Sequence, residues 1–307
     1  MSEHTDHDHH HGDLKGKNLI ITIILNIIIT VAQVVAGMIS GSLSLMSDAL
    51  HNFSDVLALV VAKFANTLSI KDANYEKTFG YKRSKILAAL FNSSVLVVIG
   101  TYLIYEAIIR FFNPRVVESN LVIYMAILSI VLNFASVVLL KSDSRDDVNI
   151  KSAYLHLLTD VMTSIAVLVG GLGMKYFGWF WIDPAVTIII AFYLIYASYS
   201  LVFESIEILM QSTPKEINME KIKLEIEKFD HIANVHHMHV WKLDDKDIHL
   251  EAHVDFDADL PLSLTSKICE DIAVLLKEKF AITHSTIQSE FGNCEDKGLI
   301  ITKPIGA

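Results

Sequence analysis

Four side chains in this sequence have the spacing of metal chemistry. His51 and Asp55 stand four residues apart, and so do His156 and Asp160. On a helix that interval puts both members of a pair on one face, with Cβ atoms about 6 Å apart. Two such faces brought together offer two imidazoles and two carboxylates. The set suits tetrahedral Zn2+, which takes His nitrogen at about 2.0–2.1 Å and carboxylate oxygen at about 2.0–2.2 Å. One pair alone is as readily a hydrogen-bonding group between helices. Recurrence of the same interval in two separate segments favours a shared ion. Asp48 lies on the face of His51 and Asp55 by the same periodicity, so spacing leaves it open as a further ligand.

Both pairs sit in apolar sequence. The chain has 307 residues, 52% hydrophobic and only 20% charged, whereas soluble domains carry about 25% charge. A bilayer-spanning helix needs about 20 mostly apolar residues. Six segments qualify: Leu19–Ile39, Leu43–Asn66, Ile86–Ile109, Leu121–Leu140, Ala153–Phe177 and Ile182–Phe203. The first is too long for a signal peptide and follows an acidic, His-rich leader. An ionised group at mid-span costs about 2.5–3.5 kcal/mol, so acids and histidines in spans two and five require partners. Asn26, Gln33, Asn52, Asn92 and Asn133 read as interhelical hydrogen-bonding groups, and Gly37 with Gly41 as a close-packing pair. The leader and the loops after spans two and four hold 11 Lys and Arg, against 3 on the other side. That bias puts both termini in the cytoplasm.

The composition changes after about Gln211. Residues 211–307 carry 18 acidic and 11 basic residues and no further span. Ile222, Ile226 and Phe229 recur at helical spacing. A strand follows near Val235–Leu243, then one in which Ile248, Leu250, Ala252, Val254 and Phe256 alternate with polar residues. A helix uses Ile268, Ile272, Leu275, Leu276 and Phe280, with Cys269 read as core, and a last strand lies near Ser285–Phe291. The expected fold is a six-transmembrane-helix bundle followed by a small cytoplasmic α+β domain, α-β-β-α-β and ferredoxin-like, with helices on one face of the sheet. A net charge of −10 argues against nucleic acid as a partner. Cys269 and Cys294 are too few for a disulfide framework.

The chain resembles the cation diffusion facilitator family of metal/proton antiporters. The resemblance is carried by Ser47-Asp48-Ala49-Leu50-His51-Asn52-Phe53-Ser54-Asp55, Thr78-Phe79-Gly80-Tyr81-Lys82-Arg83, His156-Leu157-Leu158-Thr159-Asp160 and Val235-His236-His237-Met238-His239-Val240-Trp241. It implies a zinc-type transport site at His51, Asp55, His156 and Asp160, without Asp48. It also implies a homodimer and a cytoplasmic metal site at His236, His253 and Glu290, with Cys294 as a possible addition. His236 shares its alternation with Met238 and Val240, which read as core, so its assignment requires a bulge or a later strand start. His231, His237, His239 and His249 read as ordinary exposed histidines. Family members often have His where this chain has Lys82, which leaves His284 as half of an incomplete loop site. The leader's His4, His7, His9, His10 and His11 suit loose capture of cytosolic metal.

These readings divide the chain into a cytoplasmic leader (1–17), a transmembrane domain (18–210), a cytoplasmic metal-binding and dimerisation domain (211–295) and a tail (296–307). The expected function is efflux of Zn2+, with Cd2+ or Co2+ able to share the geometry, across the cell (inner) membrane in exchange for protons. Zn2+ is then both substrate and regulatory ligand. A Walker-type phosphate loop is absent from the sequence. The alternatives are a membrane-bound metal sensor and an intramembrane metalloenzyme. The second would need three protein ligands and an open position, and no His-Glu-x-x-His run is present.

Overall fold

The computed structural model describes residues 9–141, 148–292 and 298–300, with residues 9–23, 140 and 148–153 in backbone only. The side chains of all five leader histidines, and Cys294, lie outside the described residues. Six long helices come first: α1 His9–Ser40, α2 Leu43–Ser69, α3 Ser84–Phe112, α4 Ser119–Leu140, α5 Val148–Phe177 and α6 Ile182–Leu209. Among the described residues, five of them (α2 to α6) are long and apolar enough to cross a membrane. The described apolar part of α1 is Ile24–Ser40. Then come α7 Met219–Ile226, β1 Ile232–Lys242, β2 Ile248–Phe256, α8 Leu262–Phe280 and β3 His284–Glu290. The elements fall into two units, one of residues to Lys63 with Phe91–Val202, the other of Phe64–Leu90 with the chain from Phe203.

In the helical unit, apolar side chains such as Leu45, Val122, Val167, Met174 and Leu194 form the interior. Leu, Ile and Phe side chains remain exposed along α3, α4 and α6, as lipid-facing surfaces require. Gly100 allows α3 and α6 to touch, since a Cβ there would meet Ile195 Cγ1 at 2.8 Å and the Ala191 carbonyl at 3.2 Å. Gly41 takes φ +70° where the chain turns from α1 into α2, a conformation that glycine adopts without strain. It is therefore a turn residue, and only Gly37 of the expected pair packs closely, against Met46.

The start of α2 is held by a buried carboxylate. Asp183, 1% exposed in the first turn of α6, accepts from the Leu43 amide at 2.7 Å, the Ser44 amide at 3.2 Å, and the Ser42 and Ser44 hydroxyls at 2.6 and 2.7 Å. These satisfy amides that a helix leaves open at its first turn, and the negative charge complements the helix dipole.

In the second unit, β1 pairs antiparallel with β2, and β2 pairs parallel with β3. A parallel pair needs a crossover, which α8 supplies. Ile222 and Ile226 of α7 and Ile268, Ile272 and Leu276 of α8 pack with Val235, Met238, Val240, Leu250, Ala252, Val254 and Phe256 in one core. Cys269 is only half-buried, 3.6 Å from Ser289 Oγ, because Ile268 and Ile272 take the inward positions of its helix. The other sheet face carries the histidines.

The loop joining α2 and α3 is fixed within this unit. Lys82 pairs with Asp247, Lys85 stands 3.7 Å from Asp245, and Phe79 meets the His249 ring edge-on at 5.7 Å. The hydrogen bond from Lys82 holds the Asp247 carboxyl below its ordinary 3.8, and the same bond raises Lys82 above 10.5. A lowered carboxyl stabilises the fold above its ordinary value and loses that contribution as pH falls through the lowered one. A raised amine contributes below its ordinary value and loses that contribution as pH rises through the raised one. The clip is therefore intact throughout the neutral range. Partly exposed ion pairs contribute only about 0–1 kcal/mol, so Lys82→Gln should speed amide exchange in residues 79–84 with little change in melting temperature. Unaltered exchange there would show that Phe79 and Lys85 hold the loop without Lys82.

Candidate metal centres

α2 and α5 bring the two intramembrane pairs together. His51 Nε2 lies 3.5 Å from Asp160 Oδ1, and His156 Nε2 lies 3.2 Å from Asp55 Oδ2 and 3.7 Å from Asp160 Oδ2. Within α2, His51 Nδ1 is 3.5 Å from Asp55 Oδ2. The two imidazoles meet edge to face at 5.6 Å. His51, Asp55 and His156 each offer a ligand atom within 4.8 Å of the others. Asp160 is fully buried and His51 nearly so, whereas His156 keeps 40% of its side chain exposed and forms the open side of the cluster.

These contacts are poor hydrogen bonds, whose N–H···O lengths centre on about 2.9–3.0 Å. Both nitrogens of His51, Oδ2 of Asp55 and both oxygens of Asp160 are buried without a hydrogen bond. Each such atom costs about 1–3 kcal/mol. Two atoms bound at about 2.0–2.1 Å to a tetrahedral metal lie about 3.3–3.4 Å apart. The spacings of the cluster bracket that edge, so a cation between the four groups could take one of these orphaned atoms from each of His51, Asp55 and Asp160, and Nε2 from His156.

Asp48 is arranged differently. Its carboxylate accepts from Gln33 Nε2 at 2.6 Å, Thr163 Oγ1 at 2.9 Å and Ser164 Oγ at 3.3 Å. Asn52 Nδ2 donates to Gln33 Oε1 at 2.9 Å, extending the network between α1 and α2. Asp48 thus joins α1, α2 and α5 beside the cluster with its own donors. Gln33 and Asn52 bond between helices as expected, and Asn92 reaches the Ala58 carbonyl at 3.5 Å. Asn26 and Asn133 differ. Their hydrogen bonds run to Thr30 and Ser129 in their own helices, and the α4–α5 link is made by Ser129 with Ser164 at 2.8 Å. Short hydroxyls at a close helix contact took the role that the longer amides suggested.

In the sheet unit, His236 Nε2 lies 3.3 Å from Glu290 Oε2, and His253 Nδ1 lies 2.9 Å from Glu290 Oε1. His236 and His253 are direct cross-strand partners, and Glu290 stands beside Asp255 on β3. The bulge that His236 requires is present, with the β1–β2 register breaking between His236 and His239. His237, read from the sequence as an ordinary exposed histidine, is half-buried against both rings, at 4.9 Å from His236 and 5.0 Å from His253. The sequence does contain a sign of this: Val235 and Met238 are both core, three residues apart, which strict alternation forbids. His236 is fully buried, and that burial holds its imidazole below the ordinary 6.5, in the neutral form that binds metal.

His249 is also not an exposed histidine. It is 7% exposed, stacked on Trp241 at 5.5 Å and 4.8 Å from the His284 ring. Burial, then the neighbouring His284, pushes it below 6.5. His284 and Lys82, the two positions of the incomplete loop site, take different partners: His284 meets His249 and Lys82 meets Asp247.

Residues 19–210 match the cation efflux transmembrane domain, and residues 214–291 match the cytoplasmic domain of cation efflux proteins. The chain is 36% identical over 300 residues to the cadmium, cobalt and zinc/H(+)-K(+) antiporter of Bacillus subtilis, covering 97% of this chain and 96% of that protein. It is 31% identical to the metal cation efflux system protein CzcD of Cupriavidus metallidurans, over 94% of this chain and 91% of that one. With the zinc transporter ZitB of Escherichia coli it shares 30% identity, over 82% and 80%. Helices with intramembrane acids and histidines, a histidine-bearing α+β unit and matches over both parts lead to one assignment: the chain belongs to the cation efflux family.

Proposed function

We propose that this protein exports Zn2+, with Cd2+ and Co2+ as further substrates, by exchange for protons at His51, Asp55, His156 and Asp160. The observation that carries the reading is the cluster of buried, unbonded ligand atoms between α2 and α5. The activities for which the relatives are named agree with it. Members of this family are transporters, so the metalloenzyme alternative is dropped. Imidazole must be neutral and carboxylate ionised to bind a divalent cation, so loading releases protons. Ordinary imidazole titrates near 6.5. A site facing neutral cytosol therefore loads metal, and one facing a more acidic exterior takes protons and lets the metal go.

The same proposal makes α1 the sixth span, with 1–17 as leader, 18–210 as the transmembrane domain, 211–295 as a ferredoxin-like metal-binding and dimerisation domain, and 296–307 as tail. The matched ranges 19–210 and 214–291 support the division. The Lys and Arg bias supports cytoplasmic termini in an inner membrane. Protection of both termini from protease outside intact cells checks that orientation.

Two copies form a homodimer in which Zn2+ at His236, His253 and Glu290 draws the acidic tails together. Residues 211–307 carry a net −7 each, from 18 acidic and 11 basic residues, and like charges repel. A difference in affinity of about 1–3 kcal/mol between two tail arrangements is enough to shift their populations.

Three outcomes follow. In proteoliposomes with an imposed pH gradient, Asp55→Ala and Asp160→Ala should each abolish Zn2+ flux in a folded protein, while Asp48→Asn keeps substantial metal binding because its own donors occupy it. Full flux in either alanine variant removes that residue from the site. Changing both His51 and His156 to Asp leaves an all-oxygen site that harder cations tolerate better, so the ratio of Zn2+ to Mn2+ flux should fall; a constant ratio places selectivity in helix packing. Spin labels on the tails of the full-length dimer should approach when Zn2+ is added, and His253→Ala should suppress the approach. Labels that stay apart in the unaltered protein end the regulatory role and leave the transport site standing.

A further inference from the structure

His237 is the residue whose surroundings the transport reading does not use. In a regular strand, neighbouring side chains point to opposite faces, so His236 and His237 could not share a site. Here the chain takes φ +48° at His237, inside the register break of β1. Positive φ is uncommon in residues other than glycine, and such conformations gather at functional sites. Its effect is to add one residue to β1, which keeps Met238 in the core and turns His237 to the side of His236. Ligand nitrogens of His236, His237 and His253 lie within 4.8 Å of one another.

The unbonded atoms point the same way. Nε2 of His237, both nitrogens of His236, Nδ1 of His253 and Oε2 of Glu290 are buried without hydrogen bonds. Rings bonded for structural reasons would have found donors or acceptors. The backbone at the bulge is also tied down: the His237 amide donates to the Gly298 carbonyl at 3.1 Å and the Met238 amide to the Leu299 carbonyl at 2.8 Å. The left-handed residue is thus fixed on both sides by the segment that follows β3.

We propose that His237 is the fourth ligand of the cytoplasmic metal, completing a three-imidazole, one-carboxylate set with His236, His253 and Glu290. The inference rests on the reading of those three residues as a metal site and adds a specific donor. Four protein donors fill a tetrahedral ion, as in closed structural zinc sites. The site is then complete in one copy of the chain and holds its metal before any partner docks. Three nitrogens with one oxygen favour Zn2+ and Co2+ over Mn2+ and Mg2+.

The test uses the full chain with Asp55→Ala and Asp160→Ala, so that transport-site binding is removed, and a competing chelator that strips loose sites. Co2+ serves as probe because its visible spectrum reports coordination number and imidazole content. Asn and Gly both accept left-handed φ, so His237→Asn and His237→Gly keep the bulge and remove the imidazole. The expected result is one tightly held metal per chain with a four-coordinate Co2+ spectrum. Each His237 variant should weaken Zn2+ binding by at least the roughly 10–100-fold that losing an outer-shell partner costs, and should shift the spectrum. If both variants keep affinity and spectrum while His253→Ala loses the tight metal, His237 is not a ligand and the three-residue site survives. If the chain before any tail substitution takes up no tight metal, the site itself fails, and His237 with it.

Discussion

Charge in a low-dielectric interior is the constraint on which this molecule is built. Two carboxylates and two imidazoles between α2 and α5 would each be costly in lipid, and no neighbour satisfies them fully. Such a cluster is tolerable when a divalent cation or bound protons balance it. A bare cluster of this kind is unstable, and either kind of positive charge would relieve it. The acids around it have hydrogen-bond donors of their own. Asp48, one turn from His51, has three donors, and Asp183 has four. Four acids in one unit thus have two fates, decided by whether hydroxyls and amides have been supplied.

The sheet unit solves a related problem on one strand face. Its helices cover the apolar side, leaving imidazoles and a carboxylate on the other. That second face is sheltered by Phe79 against His249 and by the carbonyls of Gly298 and Leu299 on β1. Ligand-type side chains are therefore buried without a core of their own, which is how His236 loses all its exposure.

Much of this was legible in the order of residues. Period-four pairs in apolar runs indicated the α2–α5 cluster, and strict alternation from Ile248 to Phe256 gave β2 and its polar face. Most strand and helix edges came within a few residues, but α1 begins ten residues before Leu19 and α6 runs six beyond Phe203, because helices continue past the apolar stretch. What escaped depended on a register or a distance. His237 was misread because alternation assigns a face only while the register holds, and a bulge breaks it. Asn26 and Asn133 were given interhelical roles on composition, though the direction of a side chain depends on helix rotation. Cys269 followed the same error, one residue from the inward stripe. Asp48 was left open by spacing, and its donors on α1 and α5, which set it apart from Asp160, could be seen only in three dimensions.

The carboxylate of Asp183 has a kinematic consequence. It fastens the first turn of α2 to the first turn of α6 through two amides and two hydroxyls. A joint of that kind fixes a point but leaves angles free. Any relative motion of these two helices must then be a swing about this end, with displacement growing along their lengths. His51 sits less than three turns from the joint, Asp55 one turn further, and α2 continues to Ser69. A lever pinned in this way moves little at His51 and Asp55 and more with each further turn of the helix. Small angular changes near His51 and larger displacements toward Ser69 are thereby two readings of one rotation.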